Sequence, residues 1–147
     1  MERAKKQLKI ASYLVLLFVG ISLLEIFTEL MFGDINTAQI PEGAPENILL
    51  ITKTFLLVFS LVLMLPKIYV GVKGLKIAKH PNASKRHITW AVIIFVFTLL
   101  GLIEPAMAIL NQEGVGENVS LILGILVELT IYYDYIKYAK LVAKMSE

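Results

Sequence analysis

The sequence contains no cysteine, and that absence excludes several kinds of chemistry at once. Disulfides, iron–sulfur clusters, zinc sites built from thiolates and thiol nucleophiles all require cysteine. Charge is scarce as well: only 18% of the 147 residues are charged and 57% are hydrophobic. Soluble domains carry about 25% charged and about 45–50% apolar residues. This composition therefore predicts a membrane protein.

Four apolar segments account for the excess of hydrophobic residues, and each is close to the ~20 residues needed to cross a bilayer. We place these spans at residues 10–32, 48–72, 88–110 and 119–138. The first run is too long for a signal peptide and no small-residue cleavage site follows it, so we expect it to be retained. The predicted fold is a single all-α transmembrane domain, an up-down-up-down bundle of four helices.

Lysine and arginine are absent from two of the predicted loops, residues 33–47 and 111–118, which carry only acidic charges. The N-terminal tail, the segment between spans two and three, and the C-terminal tail are all basic. Because basic residues near spans stay in the cytoplasm, we expect a multi-pass protein of the cell membrane with both termini cytoplasmic. Six aromatic residues are expected to anchor the inner face among the lipid headgroups: Tyr13, Tyr69, Trp90, Tyr132, Tyr133 and Tyr135.

The two halves of the chain resemble each other. Spans two and four end in similar basic tails, KGLKIAK at residues 73–79 and DYIKYAK at residues 134–140. A duplicated helical hairpin with this polarity would give a parallel repeat about an axis along the membrane normal. The alternative to duplication is a chance resemblance, since any two helical hairpins with basic cytoplasmic ends look alike.

Ionisable residues inside the spans are the sharpest signal, since a charge in hydrocarbon costs several kcal/mol unless it is paired or hydrated. Glu25, Lys53 and Glu104 each lie roughly five to seven residues from the outer end of their span, with Glu29 one turn above Glu25. We expect one intramembrane charge layer in which Lys53 pairs with both Glu25 and Glu104. Two interpretations stay open. One is a cation- or proton-handling site, or a small polar cavity, that opens outward. The other is a buried Glu–Lys pair that holds the helix register, with the remaining acids near the headgroups reaching water.

A second pair is predicted deeper in the membrane. Aligning the basic tails of spans two and four places Lys67 opposite Glu128, and Lys73 opposite Asp134. The alternative for Lys67 is to extend its amine to the inner surface. Pro66 is expected to bend span two at this level.

The basic segment between spans two and three is predicted to attract anionic lipid headgroups. Its cations are Lys73, Lys76, Lys79, Lys85 and Arg86. Orientation in the membrane alone would also explain them. His80 and His87 belong to the same segment, where we expect them to be solvated and to bind no metal. His80 and Pro81 are expected to end the preceding helix.

No catalytic triad, acid pair, phosphate loop or zinc motif is present in the sequence, so we expect no enzymatic activity and no cofactor. We predict a small non-catalytic integral membrane protein that acts by interaction, as an accessory, assembly or immunity-type partner of another membrane component. Its expected partners are membrane lipids, including anionic headgroups, and another membrane protein or a second copy, without nucleic acid.

The alternative function is an ion- or proton-coupled small-solute transporter or channel subunit that works as a homo-oligomer. A polar cavity at the charge layer would favour transport. A dry, paired layer beside an exposed stripe of small residues would favour the interaction function.

Overall fold

A computed structural model of the chain describes residues 1–32, 47–81, 84–112 and 114–146, and its regular structure there is entirely helical. The helices are α1 (Glu2–Phe32), α2 (Ile48–Lys79), α3 (Arg86–Leu100), α4 (Ile103–Leu110) and α5 (Val115–Lys144). Four segments are long and apolar enough to cross a membrane: Glu2–Thr28, Leu50–Lys79, Arg86–Leu110 and Val115–Lys144. This confirms the prediction of an all-helical chain with four such helices. Most of the first predicted loop, residues 33–46, lies outside the described residues.

The helices continue past the predicted spans into the basic segments. Span two was predicted to end near Val72, but α2 runs on to Lys79. Residues 73–79 contain no proline, and their one glycine lowers helix propensity without ending the helix. The bilayer thickness sets the length of the apolar segment, but a helix can continue beyond it into polar surroundings. The predicted helix stop is confirmed, because His80 caps α2 and its backbone N–H donates to the Lys76 carbonyl at 2.9 Å. Pro66 lies inside α2, and the helix continues without interruption on both sides of the proline.

The third of these long apolar segments, Arg86–Leu110, is interrupted at Gly101 and Leu102, between α3 and α4. Pro105 has no N–H, so the Gly101 carbonyl loses the partner that an uninterrupted helix would provide. The Leu102 N–H instead donates to the Leu99 carbonyl at 3.1 Å, which tightens the turn. Both turn residues keep right-handed helical backbone angles. The interruption is therefore local.

The helices pack as a bundle in which α1 contacts α2 and α5, and α2 contacts α3. Helix α5 also contacts α3, α4 and, less extensively, α2. Burial is concentrated at one end, made of residues 2–19, 64–79, 86–94 and 129–144, which we call the basic end. Its largest fully buried side chains are Leu8, Val15, Val70, Ile77, His87, Tyr132, Tyr135 and Val142. The other end, residues 20–32, 48–63, 95–110 and 115–128, is the open end. Among its described residues only Pro105 is buried.

Glycine explains the close packing at the basic end. A Cβ atom on Gly71 would lie 2.6 Å from Leu16 Cγ of α1. One on Gly74 would meet the Ser12 hydroxyl of α1 and lie 2.5 Å from Tyr135 Cε2 of α5. The missing side chains thus let α2 approach two neighbouring helices, as small residues do in membrane bundles.

The prediction that all six aromatic residues anchor the membrane surface is wrong for Tyr132 and Tyr135. These two are 2% and 0% exposed and lie inside the bundle. The Tyr135 hydroxyl donates to the Val70 carbonyl of α2 at 2.9 Å, so its polar end is satisfied without water. Tyr13, Tyr69, Trp90 and Tyr133 remain at least partly on the surface, with exposed fractions from 37% to 58%.

Candidate functional site

An ion pair joins α2 and α5 where the basic end meets the open end. Lys67 Nζ donates to Glu128 Oε1 at 2.7 Å. The exposed fraction of the side chain is 30% for Lys67 and 18% for Glu128, so both charges are largely removed from the surface. These are the residues that the alignment of the basic tails placed opposite each other. The structure brings them together, and the Lys67 amine binds the carboxylate instead of extending to the inner surface.

A cavity of about 490 Å³ lies beside this ion pair, between α2, α3 and α5. Its walls are mainly apolar, with Leu63, Ile94 and Phe97 among the side chains that line it. The ion pair, Thr98 and Trp90 supply its polar groups. A cavity of this size and character resembles small-ligand sites, which are apolar with a few polar groups.

Two interruptions of helical hydrogen bonding also line this cavity. Pro66 cannot donate to the carbonyl of Val62, and Gly101 is the residue whose carbonyl Pro105 cannot reach. Irregular backbone at membrane depth is tolerated where it is buried in protein or lines a cavity. Pro66 and Gly101 therefore place two irregular points of the helices in the same cavity wall as the ion pair.

The described residues of the predicted outer charge layer lie at the open end. Glu25 is exposed on α1, Glu104 is exposed in the first turn of α4, and Lys53 is half-buried on α2. The Glu29 side chain lies outside the described part of the structure. Among the described side chains no ion pair joins Glu25 or Glu104 to Lys53. Both acids are exposed at the open end, where Pro105 is the one buried residue among those that the structure describes.

The predicted lipid-binding cations lie on either side of the short connection between α2 and α3. Lys76, Lys79, Lys85 and Arg86 are exposed, whereas Lys73 is half-buried. The alignment also placed Lys73 opposite Asp134. Within the described ranges no ion pair connects these two residues.

The prediction that His87 is solvated is wrong. It is the second residue of α3 and is 0% exposed. Its ring lies edge-on to Tyr135, with 6.0 Å between the ring centroids. Neither ring nitrogen has a side-chain hydrogen-bond partner among the described residues. Because α3 begins at Arg86, His87 belongs to the first turn of the helix. This turn packs against the bundle, and the imidazole is therefore buried.

His87 belongs to a cluster that we call the polar junction, formed by Ser12, Gly74, His87 and Tyr135, one residue from each membrane-crossing segment. Ser12 is fully buried and its Oγ donates to the Leu8 carbonyl at 2.7 Å. Gly74 lies where a side chain would strike both Ser12 and Tyr135. This cluster was not predicted from the sequence, because charge was the signal that singled out residues within the spans and three of its members carry none. The spacing of Gly71 and Gly74 in an apolar helix was the available signal.

The arrangement offers two features with possible roles, the ion pair beside the cavity and the polar junction. Among the described residues no three potential metal ligands come together. The Lys67–Glu128 pair can hold the register of α2 against α5, or exchange its internal bond for a polar group that enters the cavity. No protein-family model, curated protein or solved structure matches this chain.

Proposed function

We propose that this chain is a small non-catalytic integral membrane protein that acts by interaction, as an accessory, assembly or immunity-type partner of another membrane component. In this proposal the spans run up-down-up-down in the cell membrane, with both termini and the basic end in the cytoplasm. The distribution of lysine and arginine supports that orientation. In this topology spans one and two form one helical hairpin and spans three and four form another. Both hairpins end in similar basic tails, which is what duplication of one ancestral hairpin would produce.

The observation that carries the proposal is the exposure of Glu25 and Glu104 on apolar helices. Their neighbours Leu24 and Ile103 are 68% and 59% exposed, so each acid lies on a surface that is otherwise suited to lipid. A charged residue costs about 2.5–3.5 kcal/mol at the centre of a membrane helix on insertion scales, and the cost is smaller nearer the ends, where Glu25 and Glu104 are predicted to lie. A partner that covers these acids with polar or basic side chains would remove much of this cost.

The open end also offers a surface that a second helix can approach closely. Gly116, Ser120 and Gly124 are spaced four residues apart along α5, and all three are exposed. A Cβ atom on either glycine would meet nothing within 4 Å. Stripes of small residues with this spacing are typical of helix–helix contacts in membranes. Together with the exposed acids, this stripe supports an interaction surface at the open end.

The test is co-purification in mild detergent followed by measurement of the mass of the intact complex. We expect the unmodified chain to be recovered with a second polypeptide, either a different protein or another copy. The double variant Glu25→Gln with Glu104→Gln should be recovered as a monomer with unchanged helix content. The matched control is Glu117→Gln, which alters an exposed acid in the first turn of α5 and should keep the partner.

Two results would contradict the interaction function. One is an unmodified chain that is monomeric whenever it is recovered intact. The other is a Glu25 and Glu104 double variant that retains its partner as well as the Glu117 control does. In the second case the acids would not form part of the interface.

A second candidate function is an ion- or proton-coupled transporter or channel subunit that forms a homo-oligomer. The cavity of about 490 Å³ beside Lys67 and Glu128 favours it. Flux measured in proteoliposomes distinguishes the two functions. Transport predicts flux that Glu128→Gln abolishes and a homo-oligomeric mass, whereas the interaction function predicts no flux above that of empty vesicles.

A further inference from the structure

A groove of about 520 Å³ lies at the basic end, between the first turns of α3 and the last turns of α5. We call it the lysine groove. Lys85, which directly precedes α3, and Lys140 and Lys144 of α5 line it together with an apolar floor. The side chains that form this floor are Ile88, Val92 and Ala143. No acidic residue is among the described residues that line the groove.

We propose that the lysine groove binds one anionic phospholipid, with the phosphate held by the lysine amines and an acyl chain lying along Ile88 and Val92. Three ammonium groups around one groove attract an anion. A small, strongly hydrated anion gains nothing from the apolar floor, because burial of apolar surface favours a ligand with a hydrocarbon part. An amphiphile with a phosphate at one end satisfies both halves of the groove.

The positions of the lysines suit a headgroup. Lys140 and Lys144 are four residues apart and therefore lie one above the other on the same face of α5. All three lysines are exposed, and their flexible stems allow the amines to reach the headgroup region from the helix surface. Lys85 directly precedes α3. The partial positive charge at that helix N-terminus adds to the attraction for phosphate.

This site differs from the surface that the sequence predicted. Lys140 and Lys144 were not among the predicted lipid-binding cations, and only Lys85 is shared by the two sets. The inference uses the membrane placement and orientation of the proposed function, which put the basic end at the inner leaflet. It does not depend on a partner protein, so loss of the partner in the co-purification test leaves it unaffected.

The experiment compares two lysine pairs of equal charge on the full-length purified chain. One variant carries Lys140→Gln with Lys144→Gln, and its matched control carries Lys76→Gln with Lys79→Gln at the end of α2. A third variant, Val92→Trp, fills the apolar floor without changing the charge. Binding of phosphatidylglycerol, phosphatidylcholine and inorganic phosphate is measured by native mass spectrometry, with circular dichroism to check helix content.

We expect one phosphatidylglycerol to be retained and phosphatidylcholine to be bound much more weakly. Loss of both groove lysines should weaken binding about 30-fold, since each lysine near an anionic lipid contributes about 1 kcal/mol and a tenfold change corresponds to 1.4 kcal/mol. Lys76 and Lys79 do not line the groove, so their replacement should weaken binding by less than about threefold, which corresponds to under about 0.7 kcal/mol. Val92→Trp should also reduce retention.

Three outcomes would overturn the proposal. Equal weakening by the groove pair and the control pair would mean that the lipid responds only to the overall basic charge. Competition by inorganic phosphate at the concentration at which the lipid binds would mean that the groove recognises the phosphate alone. Unchanged retention in Val92→Trp would mean that the apolar floor is not part of the site.

Discussion

Replacing Lys67 by methionine tests whether the charged pair beside the cavity contributes to stability. The substitution leaves the Glu128 carboxylate without its 2.7 Å hydrogen bond while the side chain is only 18% exposed. Removing one partner of a buried pair costs about 3–5 kcal/mol. The pair is only partly buried, with Lys67 30% exposed beside the cavity, so we expect a cost just below this range, about 2–3 kcal/mol.

The opposite substitution, Glu128→Leu, should be less harmful. It leaves the lysine, whose longer and more exposed side chain can carry its amine toward the membrane surface at a cost of about 1 kcal/mol. The double variant, Lys67→Met with Glu128→Leu, should recover most of the stability, because two apolar groups replace two charges. The coupling energy between the two positions should therefore be about 2 kcal/mol.

Thermal unfolding in mild detergent, followed by circular dichroism, measures these differences. At about 2–4 °C per kcal/mol, Lys67→Met should lower the midpoint by roughly 5–10 °C. Lys6→Met is the matched control, since it removes an exposed lysine of α1 and should shift the midpoint by less than about 2 °C. Additive effects of the two single substitutions would refute the reasoning, because they would show that the residues do not interact in the folded protein. A Lys67→Met midpoint equal to that of Lys6→Met would refute it as well.

Two further predictions concern packing and orientation. Gly74→Ala should destabilise the bundle by about 1–3 kcal/mol, because its methyl group would strike α1 and α5. Gly124→Ala, in open space, should be neutral or stabilising by up to about 1 kcal/mol, and equal thermal midpoints for the two variants would contradict the observed packing. The chain has no cysteine of its own, so single cysteines introduced at His80 and Gln112 can be labelled in intact cells with a membrane-impermeant reagent. We expect labelling at Gln112 alone, and labelling at His80 alone would reverse the proposed orientation.

The membrane-crossing segments were predictable because hydropathy depends on composition within about 20 consecutive residues, which a sequence displays directly. The end of α2 at His80 and Pro81 was predictable for a similar reason, since proline acts on the backbone next to it. The interruption before Pro105 follows the same rule. It was missed because the run 88–110 was treated as one span.

The Lys67–Glu128 pair lies between these cases. The sequence offered both residues as candidates, through an alignment of two basic tails that are 61 positions apart in the chain. It also offered a second outcome for Lys67, with the amine at the membrane surface. Only the packing of α2 against α5 decides between these two outcomes for Lys67. The energy of the ion pair depends on the distance between Lys67 and Glu128, and a local sequence pattern does not give that distance.

The sequence by itself determined that the chain is helical, where its apolar segments lie, and how its basic residues are distributed. The tertiary structure alone decided that His87 and Tyr135 are buried, that Glu25 and Glu104 lie on the outer surface, and that burial gathers at the basic end. The physical reason is that composition sets whether a helix enters a membrane, whereas contact depends on how each helix is rotated toward its neighbours. At this bundle's basic end, Gly74 faces α1 and α5 and lets both approach α2 closely.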